Sequence, residues 1–283
     1  MALQTFSLRL LDKIGEALAG DLGLDAGMFN DWLTEGTRKI ISKMPKQLWK
    51  FFGKTPAAFA PTTGVVVESQ KVIQAFRSDG TIQQPCRIID EKLKGRATDT
   101  SEINYATATD PAAYVDFTTT ATPTLKILPV SGTAVGYVTY VNFPTIAAAT
   151  DTVINGFPDD LEDVVVDYAL MQAKQRESSY LRKLAQGEVT GTRIEDALDK
   201  SRDYMDNLAS TDFESYVTAE DVEMAQTMVG GASEEVNRAN SEIQYALARA
   251  SDYLKSSTSA MQDYQTMEKS IDERIKMWIS VNL

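Results

Sequence analysis

From Gln186 to Leu283 the chain has no proline, and glycine occurs only at 187, 191, 230 and 231. Proline and glycine are the residues a helix interior tolerates least. A stretch so depleted in both is committed to helix. Ser233–Ile279 contains neither, and at ~1.5 Å per residue it would reach about 70 Å as one helix. Val236, Ile243, Ala250, Ser257, Tyr264, Ile271 and Trp278 recur there every seventh position, with Leu247, Leu254, Met261 and Ile275 four further on. That pattern approximates a coiled-coil seam. Its Ala and Ser members argue against a lone two-stranded coil and for close packing against the chain's own domain or against copies in an oligomer. Upstream, Thr192 with Glu195 reads as a capping box, and Thr218 with Asp221 as a weaker cap opening Ala219–Val229. Gly230-Gly231 predicts a break before the last helix.

Gly156–Gly187 predicts the strongest helix ahead of that region. Pro158 suits a first helical position. Asp159, Asp160, Glu162 and Asp163 place negative charge at the helix's positive end, with Lys174, Arg176, Arg182 and Lys183 beyond them. Leu161, Val164, Val165, Tyr168, Leu170 and Met171 cover more than one stripe, as in a helix buried on several sides. Gly187 predicts its stop.

The first half reads as helices followed by strands. Leu8, Leu11, Ile14 and Leu18 mark an amphipathic helix over Ser7–Leu18. Asp25 predicts a cap for a second helix, with Phe29, Trp32, Leu33, Gly36, Ile40 and Met44 on one face. Pro45 closes it before a short turn, 46–52. After a Pro- and Thr-rich loop, Val65–Glu68 is a short apolar run. Val72–Arg77 and Thr81–Ile89 form a hairpin around Asp79-Gly80, with Pro85 marking an edge strand and a short helix or loop at 90–99. A meander follows, in which Ala113–Thr119 pairs with Thr124–Pro129 and that strand with Tyr137–Phe143. Ile127–Thr150 carries no charge. A sheet uncharged on both faces calls for cover on both.

The expected fold class is therefore α+β: N-terminal helices, a small antiparallel sheet, and a mostly α-helical second half ending in a long helix. The segments are 1–64, 65–150, 151–232 with its hinge helix at 158–186, and 233–283.

Composition removes most chemistry. Histidine is absent and Cys86 is the single cysteine. This removes the commonest general base and zinc ligand, disulfides, and paired-thiolate metal sites. Cys86 reads as a small, buried apolar strand residue, in a chain that folds in a reducing compartment. No phosphate-binding glycine loop, serine triad or calcium loop is present. The acids at 159–163 are accounted for by their place at a helix start. The expectation is no enzyme, no cofactor and no metal. A net charge of −12 argues against gripping nucleic acid or anionic membranes, and fits a wall past which DNA slides. No span of about 20 apolar residues is present, and Met1–Gly20 lacks the basic start of a signal peptide.

Several short motifs then converge. DWLTEGTRKIISKMP (31–45), PCRII (85–89), NFP (142–144) and GFPDDLEDVVVDYA (156–169) resemble those of adaptor, or head–tail connector, proteins of tailed bacteriophages. There an F-P-[DE]-x-L start opens a helix after a small uncharged sheet. The resemblance covers about residues 25–185. It implies a virion protein of the neck, made in the host cytoplasm. Such proteins form a ring, usually of twelve copies, under the portal. They extend the DNA channel and join capsid to tail, with the portal and a downstream neck or tail protein as partners and DNA only as passing cargo. An elongated coiled-coil assembly or fibre component is the alternative.

Two surfaces are expected for these contacts. Ile271, Ile275, Trp278 and Ile279, apolar residues at a terminus without obvious cover, are the expected portal contact. Tyr137 and Tyr140 of the uncharged sheet, with Val164 and Tyr168 of the hinge helix, are the expected contact between copies.

Overall fold

The computed structural model describes residues 4–55, 58–67, 71–117, 122–190, 192–208 and 222–283. It divides into two compact units, Met1–Leu170 with Glu268–Leu283, and Met171–Met267.

In the first unit, α1 (Phe6–Ile14) is capped by Thr5 and ends at Gly15, whose φ of +89° breaks it from α2 (Glu16–Asp21). The single helix expected over Ser7–Leu18 is thus two. The buried residues of α1 are Phe6 and Leu10, whereas Leu8 is half exposed. Next comes α3 (Ala26–Lys43), where Asp25 accepts the Met28 N–H at 2.8 Å as its cap. Its inner face holds Phe29, Leu33, Ile40 and Ile41, all at most 2% exposed. Burying each such side chain contributes about 1.5–3 kcal/mol relative to exposure. Lys46–Phe52 follows as a 3-10 turn that buries Leu48 and Phe52.

Among the described residues the strands form two four-stranded sheets, where the sequence suggested one hairpin and a separate meander. The first sheet runs β1 (Gly53–Lys54), β8 (Val135–Val141), β3 (Val72–Ser78), β4 (Gln83–Pro85), all antiparallel. The second runs β2 (Val65–Val66), β7 (Thr124–Leu128), β6 (Ala112–Asp116), β5 (Arg87–Ile88). The β3–β4 hairpin turns at Gly80 with φ +91°, and Pro85 lies on the edge strand, as expected.

Two pairings differ from the reading. Thr81–Ile89 is not one strand: Cys86 donates to Ala75 O, while Arg87 donates to Pro111 O and enters the other sheet parallel to β6. The strand Thr124–Leu128 pairs with β6 but not with β8, which joins β3 and β1. The loop at 129–134 carries the chain from one sheet to the other.

The sheets bury a shared cluster of Val67, Val72, Ala75, Ala113, Leu125, Ile127, Val138 and Tyr140. On the far face of the second sheet, Ala112, Tyr114 and Leu128 pack with Ala97 of α4 (Lys94–Thr98) and with Ala106. The alternation of β6, Ala113 one way and Ala112 and Tyr114 the other, follows the strand's period of two. Phe59 and Gly136 exchange backbone hydrogen bonds of 3.0 and 2.7 Å. A Cβ at Gly136 would lie 2.6 Å from the Phe59 ring, so only glycine admits this contact.

A strap at 146–151 then crosses the N-terminal helices. Ile146 N–H donates to Thr34 Oγ1, Ala148 N–H to Asn30 Oδ1, and Phe6 N–H to Asp151 O. It leads to α5 (Asp159–Thr190), which opens at Pro158 as expected but runs through Gly187. One helical glycine costs only about 1 kcal/mol, which a packed helix absorbs.

The second unit contains α5 from Met171, α6 (Thr192–Leu208) and α7 (Val222–Asn282) up to Met267. No break occurs at Gly230-Gly231, because a helix nucleated on both sides continues through the pair cooperatively. The Thr218–Asp221 cap and the Thr192 side chain lie outside the described residues.

Among the described residues, those that α7 buries here are Ala232, Ala239, Ala246, Ala250, Ser257 and Ala260. Ala250 and Ser257 keep their expected seam places. Leu247 and Leu254, expected in the seam, are 52% and 51% exposed. A straight helix drifts about 20° per heptad from a strict seven-residue ladder, and small residues lie where α5 approaches. Ser178 and Ser257 exchange a hydroxyl contact of 2.9 Å, and Glu188 pairs with Arg249 at 3.1 Å. Rising numbers on α5 meet falling numbers on α7, so the two are antiparallel.

Candidate assembly surface

The chain's last turns return to its first hundred residues. From Glu268 onward, α7 belongs to the first unit and turns Ile271 and Ile275 inward, at 6% and 3% exposure. Asp272 pairs with Lys43 at the end of α3, and Arg274 with Asp167 of α5, which Lys13 of α1 also meets at 2.6 Å. Trp278 lies edge-on to Phe51, with centroids 5.6 Å apart, and 6.2 Å from Phe52, which in turn meets Phe157 at 5.4 Å. Aromatic pairs in this geometry add about 0.5–1.5 kcal/mol beyond their burial. Arg9 binds Asp163 and approaches Glu162, tying α1 to the start of α5. Glu162 itself accepts the Ile154 N–H at 2.6 Å. Burial pushes its carboxyl above the usual range, and that hydrogen bond and Arg9 oppose the shift.

This arrangement sorts the expected contact residues. Ile271 and Ile275 are buried within the chain, and Trp278 and Ile279 are half buried. The large apolar side chains left outside are Met277 at 66%, Val281 at 79% and Leu283 at 71% exposure, with Phe51 at 40%. The sequence signal for them was their place off the Ile271–Ile275–Trp278 stripe: Met277 and Val281 lie one turn apart along one flank of it, and Leu283 follows the helix end on the other. Of the four residues expected between copies, Tyr137 is half buried on the outer face of β8. Tyr140, Val164 and Tyr168 are buried within the chain, at 8%, 1% and 4%. Tyr168 packs on Gly36 of α3.

A cleft of about 660 Å³ runs along β5 and β6, lined by Ile88, Ile89, Asp90, Glu91, Lys92, Val115 and Phe117. Its Asp90 is engaged in capping the turn after β5 through the Lys92 N–H. Among the described residues no group of three or more Asp, Glu or Cys is placed to hold a metal ion, and no helix is long and apolar enough to cross a membrane. Cys86, half buried beside the shared core, has its thiol pushed up to about 12 by burial, against the pull of Arg77.

Residues 2–215 match the family model described as SU10 adaptor protein. The chain belongs to the SU10 adaptor protein family. Neither the curated proteins nor the solved structures include a match to it. The family match exceeds the stretch in which the short motifs were recognised and takes in all of α6. It ends before α7, so the long helix and the terminal surface lie beyond the part by which this SU10-type adaptor is classified. Family membership makes the protein a phage adaptor, a virion component that associates with portal and tail proteins.

Proposed function

We propose that this adaptor forms a ring, of about twelve copies by the family resemblance, beneath the portal, extends the DNA channel and joins capsid to tail. The observation that carries the reading is the terminal helix. Its inner face is locked to α3, α5 and the Phe51–Phe52 pair, while Met277 and Val281, one turn apart, stand exposed along one flank and Leu283 beyond the helix end. An apolar cluster on a rigid support loses little ordering entropy on docking. The portal contact thus centres on Ile271–Leu283: Ile271, Ile275, Trp278 and Ile279 shape the support, and the exposed residues meet the partner.

Between copies, Tyr137 offers the side chain, and Tyr140, Val164 and Tyr168, buried within the chain, contribute only as support for their own elements. Ring contacts join unlike flanks and close by rotation. DNA passes as cargo, past a chain with a net charge of −12. The role involves no catalysis, cofactor or membrane. The coiled-coil fibre reading has less support, because the small-residue seam of α7 is occupied by α5 of the same chain.

The test is mass by light scattering, for the protein alone and mixed with portal rings. Addition of about one copy per portal subunit supports the reading. A stable dimer or trimer that ignores the portal refutes it in favour of the fibre.

A further inference from the structure

Between Gly36 and Val67 the chain carries six basic residues and no acid, within a protein of net charge −12. The six are Arg38, Lys39, Lys43, Lys46, Lys50 and Lys54. Two are engaged: Lys39 meets Glu35 at 3.3 Å, and Lys43 pairs with Asp272. Lys46, Lys50 and Lys54 are exposed, and no salt bridge among the described residues reaches them. Phe51 lies among them, 40% exposed, with Lys50 Nζ 5.1 Å from its ring centre. Lys50 against a partly bare aromatic ring, with Lys46 and Lys54 exposed at either end of the same short segment, makes a basic stretch suited to an acidic partner with some apolar content.

The chain itself supplies such a partner. On α6, Glu195, Asp196, Asp199, Asp203 and Asp206 are exposed, and Leu198 beside them is 48% exposed. At 100° per residue these five acids fall within an arc of about 100° on one side of the helix. Among the described residues the salt bridge of these acids is Asp199 with Arg202 at 4.0 Å, a pair so exposed that it holds little.

We infer that the lysine face at 46–54 receives the acidic face of α6 from a second copy, a head-to-tail contact between unlike surfaces. This deepens the ring reading and rests on it. Charge complementarity of this kind sets register and association rate. A lysine surface also suits nucleic acid phosphates, but the acidic helix matches it in charge and also offers an exposed apolar residue to Phe51, which a phosphate backbone does not.

The experiment uses the full-length protein and two variants. One carries Lys46→Glu, Lys50→Glu and Lys54→Glu; the other carries Asp196→Lys, Asp199→Lys and Asp203→Lys. Every substituted residue is exposed, so both should keep the native melting temperature. Self-association is measured by sedimentation at about 50 mM and about 500 mM salt, across which screening shortens the reach of charges severalfold. We expect the native protein to associate at low salt and each variant to need roughly tenfold more protein or greater. An equimolar mixture of the two variants should recover native association, because each restores the partner the other has lost.

Association of either folded variant at native strength, failure of the mixture to recover, or a native protein that stays monomeric at low salt overturns the assignment. So does duplex DNA retarded by native protein and released by the lysine variant. Loading on portal rings separates the two readings. Full loading by both variants overturns this contact and leaves the ring intact, whereas no loading by native protein removes the ring reading itself.

Discussion

The indole of Trp278 meets the ring of Phe51 edge-on, at 77° between planes, and so pins the end of α7 to the turn after α3. This contact decides how the proposed portal surface has to be probed. Deleting 271–283 would remove Ile271 and Ile275, which are core residues, as well as the exposed ones. The double variant Met277→Asp and Val281→Asp changes only exposed positions. It should unfold within about 0.5 kcal/mol of native protein and lose portal attachment, read by co-sedimentation with portal rings. Attachment at native strength would remove these residues from the contact.

Gly36→Ala tests the approach of α3 to α5. A Cβ there would lie 2.9 Å from Cδ1 of Tyr168 and 3.2 Å from its Cγ, atoms too near the backbone to swing away. Alanine gains about 1 kcal/mol in helix propensity, while overpacking a core costs about 1–3 kcal/mol. A net loss near 1 kcal/mol is expected from urea unfolding, and a gain would show that Tyr168 yields freely.

Ser257→Leu addresses the second unit. Ser257 is 1% exposed and donates to the Ser178 carbonyl at 3.0 Å. A branched side chain there would force α5 and α7 apart and strip Ser178 and Arg182 of a partner. The expected cost is roughly 2–4 kcal/mol. Leu254→Ser, one turn away but half exposed, should change stability by less than about 0.5 kcal/mol. Equal effects at both positions would contradict the observed seam.

Glu162 makes stability fall as pH rises. Its folded pKa lies above the ordinary 4.5, chiefly through burial. The folded state therefore holds the proton more tightly than the unfolded chain. That contribution is complete below the unfolded value and is lost as pH climbs through the folded one. Glu162→Gln stays neutral throughout. The stability of the Gln variant relative to native protein should thus increase from about pH 4 to pH 7, as followed by chemical denaturation. A constant difference would show that Glu162 titrates normally.

Cys86 should be inert. With its thiol near 12, about one part in ten thousand is thiolate at pH 8. A disulfide reagent should label it only on unfolding, and rapid labelling of native protein would place it in solvent.

Local chemistry is legible along the chain wherever a residue acts on its immediate neighbours. Asp25 caps α3, Pro45 ends it, Asp79-Gly80 turns a hairpin, Pro85 sits at an edge and Pro158 opens α5. Each effect spans a few bonds and needs no partner elsewhere. Gly15, Gly187 and Gly230-Gly231 show the limit, because a glycine breaks a helix only where the surrounding packing allows it. Gly15 takes a positive φ, whereas the other three are carried inside long helices.

The sequence by itself determined the α+β class, the absence of a histidine- or thiolate-based inventory, the acid-free basic stretch at 36–67, and the motifs that led to the adaptor family. Tertiary structure alone decided that β7 and β8 belong to different sheets, that Leu247 and Leu254 face outward, and that Trp278 folds onto Phe51 and Phe52. Strand pairing and side-chain burial depend on which distant segment fills the adjoining space. A periodic pattern marks a helix or strand but does not name the neighbour that covers it. Ala113 and Ile127 became core because a second sheet lies over them, and Met277 and Val281 stayed bare because the terminal helix turns its other face to Phe51 and α3.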